Sequence, residues 1–458
     1  MAMNKLICFL LMVIVFTGCK KFLDVNPSTQ TVNPTTIADF QEMLNSDSLA
    51  IGNYMLSDLM SDDVRLTDVE LSGQDNFYTR TYLWSNVIWN PADEDYMYNS
   101  SYTRILQMNI IMSRVGSAPQ DSVNTVENRS NVISQALIQR SYYYLQLANI
   151  YGAGYNSATA TTDLAVPLVL SPDASAKPSR ATVQEVYDKV ITDLRQAVNN
   201  PYLSGMGRNI IHPGKAAGYA LLSRAYLYKA AFDSALLYAD SSLALAGSLM
   251  DISSSYSGPT QLIDLRTNPE ILMAKVAYER NFYSLSNYSF QLSSSLYSLL
   301  SYYDGRYNTR LSGYYYRTST YNGATTLFSD FSVSVPEVML TKAECLARKG
   351  DATGAVTLVN TLAAKRIRSY VALTTGNADT ALSYVLRERR RELFVRGGLR
   401  LFDLKRFNVN TNTQVTLTRK QDDSTVIATL PPLSGRYVMP FTQTVLANNP
   451  NMVQNVRQ

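Results

Sequence analysis

The sequence predicts an all-α protein built from helical hairpins, with loop-rich segments packed on that scaffold. Three observations carry this. Apolar residues recur at helical spacing over long stretches, as at Tyr98, Tyr102, Ile105, Leu106, Ile110 and Met112. Two segments, Ala216 to Leu245 and Pro336 to Ala364, look like copies of one helical unit. Two other stretches, near 47–90 and 268–330, lack that period and are dense in Ser, Asn, Gly and aromatic residues.

The first residues read as an export signal. Met1 to Lys5 is basic, and Leu6 to Phe16 is an unbroken apolar run. A run that short cannot cross a bilayer, which takes about 20 apolar residues. A basic start, a short apolar core and small residues match a secretory signal. Phe16-Thr17-Gly18-Cys19 resembles the lipobox of bacterial lipoproteins, with Phe16 standing where leucine is usual. Residues 1–18 are therefore expected to be a lipoprotein signal peptide, Cys19 the lipidated residue, and 19–34 a tether to a single domain over 35–458.

A helix is expected from Thr35 to Leu44, with Thr36 as N-cap. Longer helices follow over Asp93–Val115 and Glu127–Tyr151, the second carrying Tyr142, Tyr143 and Tyr144 and ending at Gly152 and Gly154. Tyrosines at helical spacing read as packing surface. Thr182 to Asn199 opens with a capping box, Glu185 standing three residues after Thr182. In the two repeated segments Ser223 and Ala235 stand twelve apart, as do Ala343 and Ala355. Small residues at that spacing let the helices of a hairpin cross closely, and the pattern resembles the tetratricopeptide repeat.

Composition narrows the chemistry. A formal charge of +4, from 41 basic and 37 acidic residues, gives no global field for nucleic acid. Of three cysteines, Cys8 would leave with the signal and Cys19 would carry lipid. Cys345 then stands alone, a small buried hydrophobe with no disulfide partner. The single histidine, His212, excludes a histidine metal cluster and a Ser-His-Asp triad. Lys215 after Gly214 lacks the rest of a phosphate loop. Acidic runs occur at Asp62-Asp63 and Asp93-Glu94-Asp95. A glycosidase needs two such carboxyls across one bond, but acidic residues before helices usually serve the helix dipole. Asp62-Asp63 could also hold a structural calcium. The run Arg387, Arg389, Arg390, Arg391 is interleaved with Glu388 and Glu392, which reads as paired charges on a solvated or docking helix rather than a nucleic-acid patch. No catalytic residue, metal or cofactor is expected.

The outstanding count is tyrosine, 32 against 14 phenylalanines and 2 tryptophans. Tyrosine joins an apolar face to a hydrogen-bonding tip, which suits wet interfaces and sugar rings. The stretch from Asn76 to Asn90 holds both tryptophans, and aromatic residues crowd Phe282 to Tyr316.

Several segments together resemble the SusD/RagB family of outer-membrane lipoproteins. They include Leu386 to Phe394 followed by Gly397-Gly398 and Leu399 to Arg406, and Met439-Pro440-Phe441 with Asn448-Asn449-Pro450-Asn451. They also include Cys19 with Phe22-Leu23-Asp24, Gln139 to Tyr144, Val166-Pro167-Leu168 and Pro336 to Leu340. The resemblance spans nearly the whole chain after the signal. It implies tetratricopeptide-like hairpins, non-catalytic binding of oligosaccharide, and a SusC-like TonB-dependent transporter as partner; the RagB branch handles peptides instead. It places sugar contacts in the N-terminal loops and in the insertion from Asn281 onward. The ligand-binding residues so implied are Tyr78, Tyr82, Trp84 and Asn86 on one side and Tyr283 and Tyr288 on the other. Trp89, and the turn Asp304-Gly305-Arg306, are expected to be structural, and Arg400, Asp403 and Arg406 to fix how the terminal helices pack.

Overall fold

The computed structural model describes residues 33–457 apart from 53, 74, 247, 255–262, 278–289, 313–314, 317–318, 321–326 and 422–423. The expected signal segment, Cys19 and the tether up to residue 32 lie outside the described residues. Sixteen α-helices and only short strands among the described residues make the fold all-α.

Helix α1 (Ile37–Leu44) starts at the expected cap. The Thr36 hydroxyl accepts from the Asp39 amide at 3.1 Å, and the Asp39 carboxylate accepts from the Thr36 amide at 2.8 Å. The 47–90 stretch is, as expected, short helices and loops, including strand β1 (Val64–Leu66) and helix α2 (Phe77–Tyr82). Helix α3 (Tyr96–Arg114) packs on α4 (Val126–Tyr151), and α4 on α5 (Val183–Val198). From Ser134 to Tyr151 every residue of α4 is buried, so this helix is the hub of the scaffold. Its tyrosine triplet is core: Tyr142, Tyr143 and Tyr144 are each 1% exposed. The hydroxyls of Tyr143 and Tyr144 donate to the carbonyls of Leu49 and Val169, each at 2.7 Å.

The two hairpins form as the repeated spacing implies. The first is α6 (Lys215–Tyr228) with α7 (Phe232–Leu245), the second α8 (Val335–Arg348) with α9 (Ala352–Ala364). Ser223, Ala235, Ala343 and Ala355 are all buried, because only small side chains let paired helices approach. Cys345 is a free, buried thiol, pushed up to about 12 by burial. Helices α10 (Ala378–Glu392) and α11 (Leu399–Asn408) complete the described scaffold.

One expectation fails here. The charged face of α10 does not look to solvent. Glu388 and Glu392 continue the inward stripe of Ala381 and Val385, and Arg389 is buried beside them. Their charges are met inside the protein. Glu392 accepts from Arg306 at 2.9 Å, Arg310 at 3.1 Å and Arg366 at 3.1 Å; Glu388 shares the same Arg306 Nη1, while Asp304 takes the Nε and Nη2 side of that guanidinium. Arg389 donates to Asp403 at 2.8 Å, and Arg406 joins Asp403 to Glu344. The turn Asp304-Gly305-Arg306 and the Arg400, Asp403, Arg406 group are thus structural, as expected.

Burial alone would raise these carboxylates, but the arginines outweigh it and hold Glu392, Glu344 and Asp403 below their ordinary values. A carboxylate depressed in the folded state contributes stability above its unfolded value, and that stability is lost on acidification. The thermal midpoint should therefore fall as pH drops below the ordinary values of 4.5 and 3.8. Glu392→Gln should flatten that slope and cost about 3–5 kcal/mol at neutral pH, because it leaves buried guanidinium groups short of a counter-charge. Denaturant titrations of both forms across pH measure this.

Candidate functional site in the N-terminal loops

Helix α2 is set by Asn76, whose side-chain oxygen accepts from the amides of Tyr78 at 2.9 Å and Thr79 at 3.0 Å. The helix stops at Trp84, which takes a left-handed backbone with φ of 52°. A bulky residue holds that conformation only when its side chain is fixed elsewhere. The Trp84 indole donates to the Met60 carbonyl at 2.9 Å, and its ring packs 4.1 Å from the Arg419 guanidinium carbon.

Arg419 explains both rings. It projects from strand β3 (Leu417–Gln421), which pairs with β4 (Thr425–Leu430). Its guanidinium lies 4.0 Å from the Tyr82 ring as well, and donates to the carbonyls of Leu59, Ser61, Val64 and Tyr82. Burial lowers its pKa, and among the described residues no carboxylate bonds to it; two ring faces and four carbonyls solvate the charge. Tyr82 is 2% exposed and Trp84 0%. This corrects the expectation of sugar platforms at these two positions: their faces are occupied by a cation from the chain's own C-terminal hairpin. Trp89 is core as expected, its indole donating to the Pro440 carbonyl at 2.7 Å.

Other residues of the stretch do reach the surface. Asn86 and Val87 are exposed, and Tyr78 is half-buried with its ring 4.2 Å from that of Phe77. Arg80 donates to the exposed Asn90 at 2.8 Å and lies 3.7 Å from Asp93. Strand β1 pairs antiparallel with β2 (Phe290–Leu292), matching Leu66 to Phe290. That ladder brings the N-terminal loops to the end of the segment carrying Tyr283 and Tyr288, which themselves lie outside the described residues. Other tyrosines, outside the ligand set expected from the sequence, are exposed. Tyr96 opens α3 at 60% exposed, and Tyr302 and Tyr303 form an edge-to-face pair, 57% and 56% exposed. The doublet stands directly before Asp304, which turns inward to Arg306; that change of direction is the signal the sequence held.

The acidic candidates are engaged. Arg400 grips Asp62 at 2.7 and 2.8 Å, and Arg390 meets Asp63 at 2.7 Å. Burial works to raise Asp62, but Arg400 and Arg390 hold it down at about 2; Asp63 is pushed up by burial and by its neighbour's charge. A cation at this pair would face two guanidinium groups, which argues against calcium there. Asp95 caps α3 and meets the Tyr151 hydroxyl, and burial raises it to about 6. Among the described residues no group of three or more His, Cys, Asp or Glu side chains is arranged to hold a metal. His212 is buried between the side-chain oxygens of Asn209 and Asn45.

The geometry defines a helical scaffold with loops anchored to it. Residues 21–227 match a family model described as starch-binding associating with outer membrane, and residues 278–457 match the SusD family model. The chain belongs to the SusD family. Among solved structures, one described as a candidate sugar-binding protein from Bacteroides vulgatus is 23% identical, with a TM-score of 0.74 over 93% of this chain and 99% of that one. A SusD superfamily protein from Bacteroides thetaiotaomicron is 22% identical, with a TM-score of 0.70 over 92% and 100%. Another from Bacteroides fragilis is 19% identical, with a TM-score of 0.72 over 91% and 99%. At these identities the likeness speaks for the fold. No curated relative matches the sequence. Among the described residues no helix is long and apolar enough to cross a membrane.

Both tryptophans are buried, so native fluorescence should be blue-shifted and insensitive to iodide, and adding ligand should leave it unchanged. Arg419→Ala should expose Trp84 to iodide and destabilise the fold by about 2–4 kcal/mol, since two ring faces and four carbonyls lose their partner. Quenching and denaturant titration on the two forms check it.

Proposed function

We propose that this chain is a non-catalytic lipoprotein, anchored through Cys19 in the outer membrane, that binds oligosaccharide and passes it to a SusC-like TonB-dependent transporter. The observation that carries the reading is the β1–β2 ladder. It pairs Val64–Leu66, within the N-terminal loop region, with Phe290–Leu292, the residues that directly follow the insertion's Tyr283 and Tyr288 in sequence. Asn86 and Tyr78 contribute from the loop side, with Tyr283 and Tyr288 from the insertion. A neutral sugar needs aromatic faces and amide hydrogen bonds in a wet, shallow site, and no titrating group. The engagement of Asp62 and Asp63 by Arg390 and Arg400 supports binding without hydrolysis. Membership of a family described as associated with the outer membrane supports the location.

A glycan array followed by isothermal titration tests the ligand. Asn86→Ala and Tyr78→Ala should each weaken the best glycan about five- to tenfold, the loss of one or two polar or stacking contacts, and Asn86→Ala, at an exposed position, should leave thermal stability unchanged. Saturable binding of mixed peptides with no response to any glycan would overturn the reading. Cys19→Ser should release the protein from membranes on fractionation.

A further inference from the structure

A cavity of about 290 Å³ lies where α1, the first turns of α4 and the 204–213 loop meet. On α4 its wall is Asn128, Asn131, Val132 and Gln135, which share one face at steps of three and four. Two amide contacts pin α1 to this part of the chain. Asn124 Oδ1 accepts from the Ala38 amide at 2.9 Å, and Gln135 Nε2 donates to Gln41 Oε1 at 3.3 Å. The loop is equally fixed. The amides of Lys215 and Ala216 donate back to the carbonyls of Ser204 and Gly205 at 2.8 and 2.9 Å. A Cβ at Gly207 would stand 1.7 Å from the His212 carbonyl oxygen, so only glycine lets the loop turn this tightly. The cavity is therefore preformed, as small-molecule sites usually are.

Its charge is one-sided. Arg208 and His212 are the titratable side chains of the described lining, and no carboxylate stands among them. Arg208 is exposed, and among the described residues no carboxylate lies within ion-pair distance of it. It also borders a second hollow, where Asp47 and Arg266 bring one charge of each sign. The nearby Asp121 is already committed, accepting from the amides of Val123 and Asn124 and from the Asn124 side chain at 2.7 to 2.8 Å. A donor is open beside the cation: the Asn131 side-chain nitrogen makes no hydrogen bond among the described residues and still touches solvent. Burial and the Arg208 charge lower the pKa of His212, while Glu42 pulls the other way. The buried ring therefore senses what happens to the charge at Arg208.

We propose that this cavity binds a small ligand through one carboxylate, paired with the exposed Arg208, while amide groups on α4 take its other polar atoms. A carboxylate matches the fork of a guanidinium, which supplies direction as well as charge. The volume stands at the small end of ligand sites, which run from about 300 to 1,000 Å³, and suits one uronic-acid or amino-acid unit. None of residues 75–90 lines the cavity, so it does not depend on the loop surface proposed for neutral glycan.

His212 is the only histidine of the chain, so its ring signals in an NMR titration of the full chain need no assignment. Sodium glucuronate, sodium N-acetylalaninate, glucose and sodium chloride are added in turn, with calorimetry as the second readout. Saturable binding of glucuronate or N-acetylalaninate is the expected result, and the tighter of the two identifies the source of the carboxylate. The His212 pKa should move upward with it, because an anion beside Arg208 removes a repulsion. Glucose and chloride should leave the ring signals in place. Arg208→Gln, at an exposed position, should weaken the anion about ten- to a hundredfold with the thermal midpoint unchanged. Asn128→Asp should weaken it as well by repulsion; an acid in the first turn of α4 suits the helix dipole, so the fold is kept. The inference is overturned if neither anion binds, if binding leaves the His212 signals unmoved, or if either variant binds as tightly as the parent. Asn86→Ala should leave the His212 response intact, so this reading and that of the loop surface fail separately.

Discussion

The buried carboxylate of Glu392 is the constraint on which the rest of the structure depends. An ion removed from water carries a large desolvation cost, and it stays charged only where counter-charges are already placed. Arg306 and Arg310, neighbours on one short helix, and Arg366 supply them from two separate parts of the chain. Because Arg366 also holds Glu270 and Arg306 also holds Asp304 and Glu388, one carboxylate fixes the approach to α8, the turn before Arg306 and the inner face of α10 together. Hydrophobic contact would permit sliding; these forked hydrogen bonds do not.

The same logic extends from α10 and α11 to the N-terminal loops. Asp58 accepts from the amides of Gly397 at 3.0 Å and Gly398 at 2.8 Å, and both glycines are left-handed, at φ of 62° and 89°. A Cβ at Gly398 would stand 2.5 Å from the Ser57 hydroxyl oxygen, so only glycine lets the two segments come this close. Arg400 and Arg390 then hold Asp62 and Asp63, and Arg419 enters between Tyr82 and Trp84. Loops that carry a binding surface need a rigid footing, and here it comes from the far end of the sequence. The consequence for the surface is direct. The largest rings in the loops serve the footing, and contact with a ligand falls to smaller polar groups and to tyrosines at the edges.

Local signals were readable in the chain wherever neighbours in sequence decide the outcome. The caps at Thr36 and Thr182, the ends of α3 and α4, and the small residues at the hairpin crossings all follow from spacing alone. The tyrosine triplet was legible as core for the same reason. Two features were not. The inward charge of α10 depends on Arg306, Arg310 and Arg366, which lie 26 to 86 positions from Glu392, and a Glu-Arg run at helical spacing reads the same whether its partners are water or buried arginine. Trp84 and Tyr82 sit in a stretch whose composition suits sugar binding, but their fate is set by Arg419, more than 300 positions on. Resemblance to a family indicated which loops to consider and could not tell a clamp from a platform within them.

Arg457 ties the N-terminal loop to the segment that follows the C-terminal hairpin. Its guanidinium donates to the Ser85 carbonyl, beside Asn86, and to the Val438 carbonyl. Burial lowers its pKa to about 10, and carbonyl oxygens are the partners that hold it. Arg180, Arg419 and Arg457 share this form, a buried guanidinium held by carbonyls. Such a contact is rigid while all its carbonyls are in place, and it weakens as a unit when one is withdrawn, since among the described residues no carboxylate bonds to these charges.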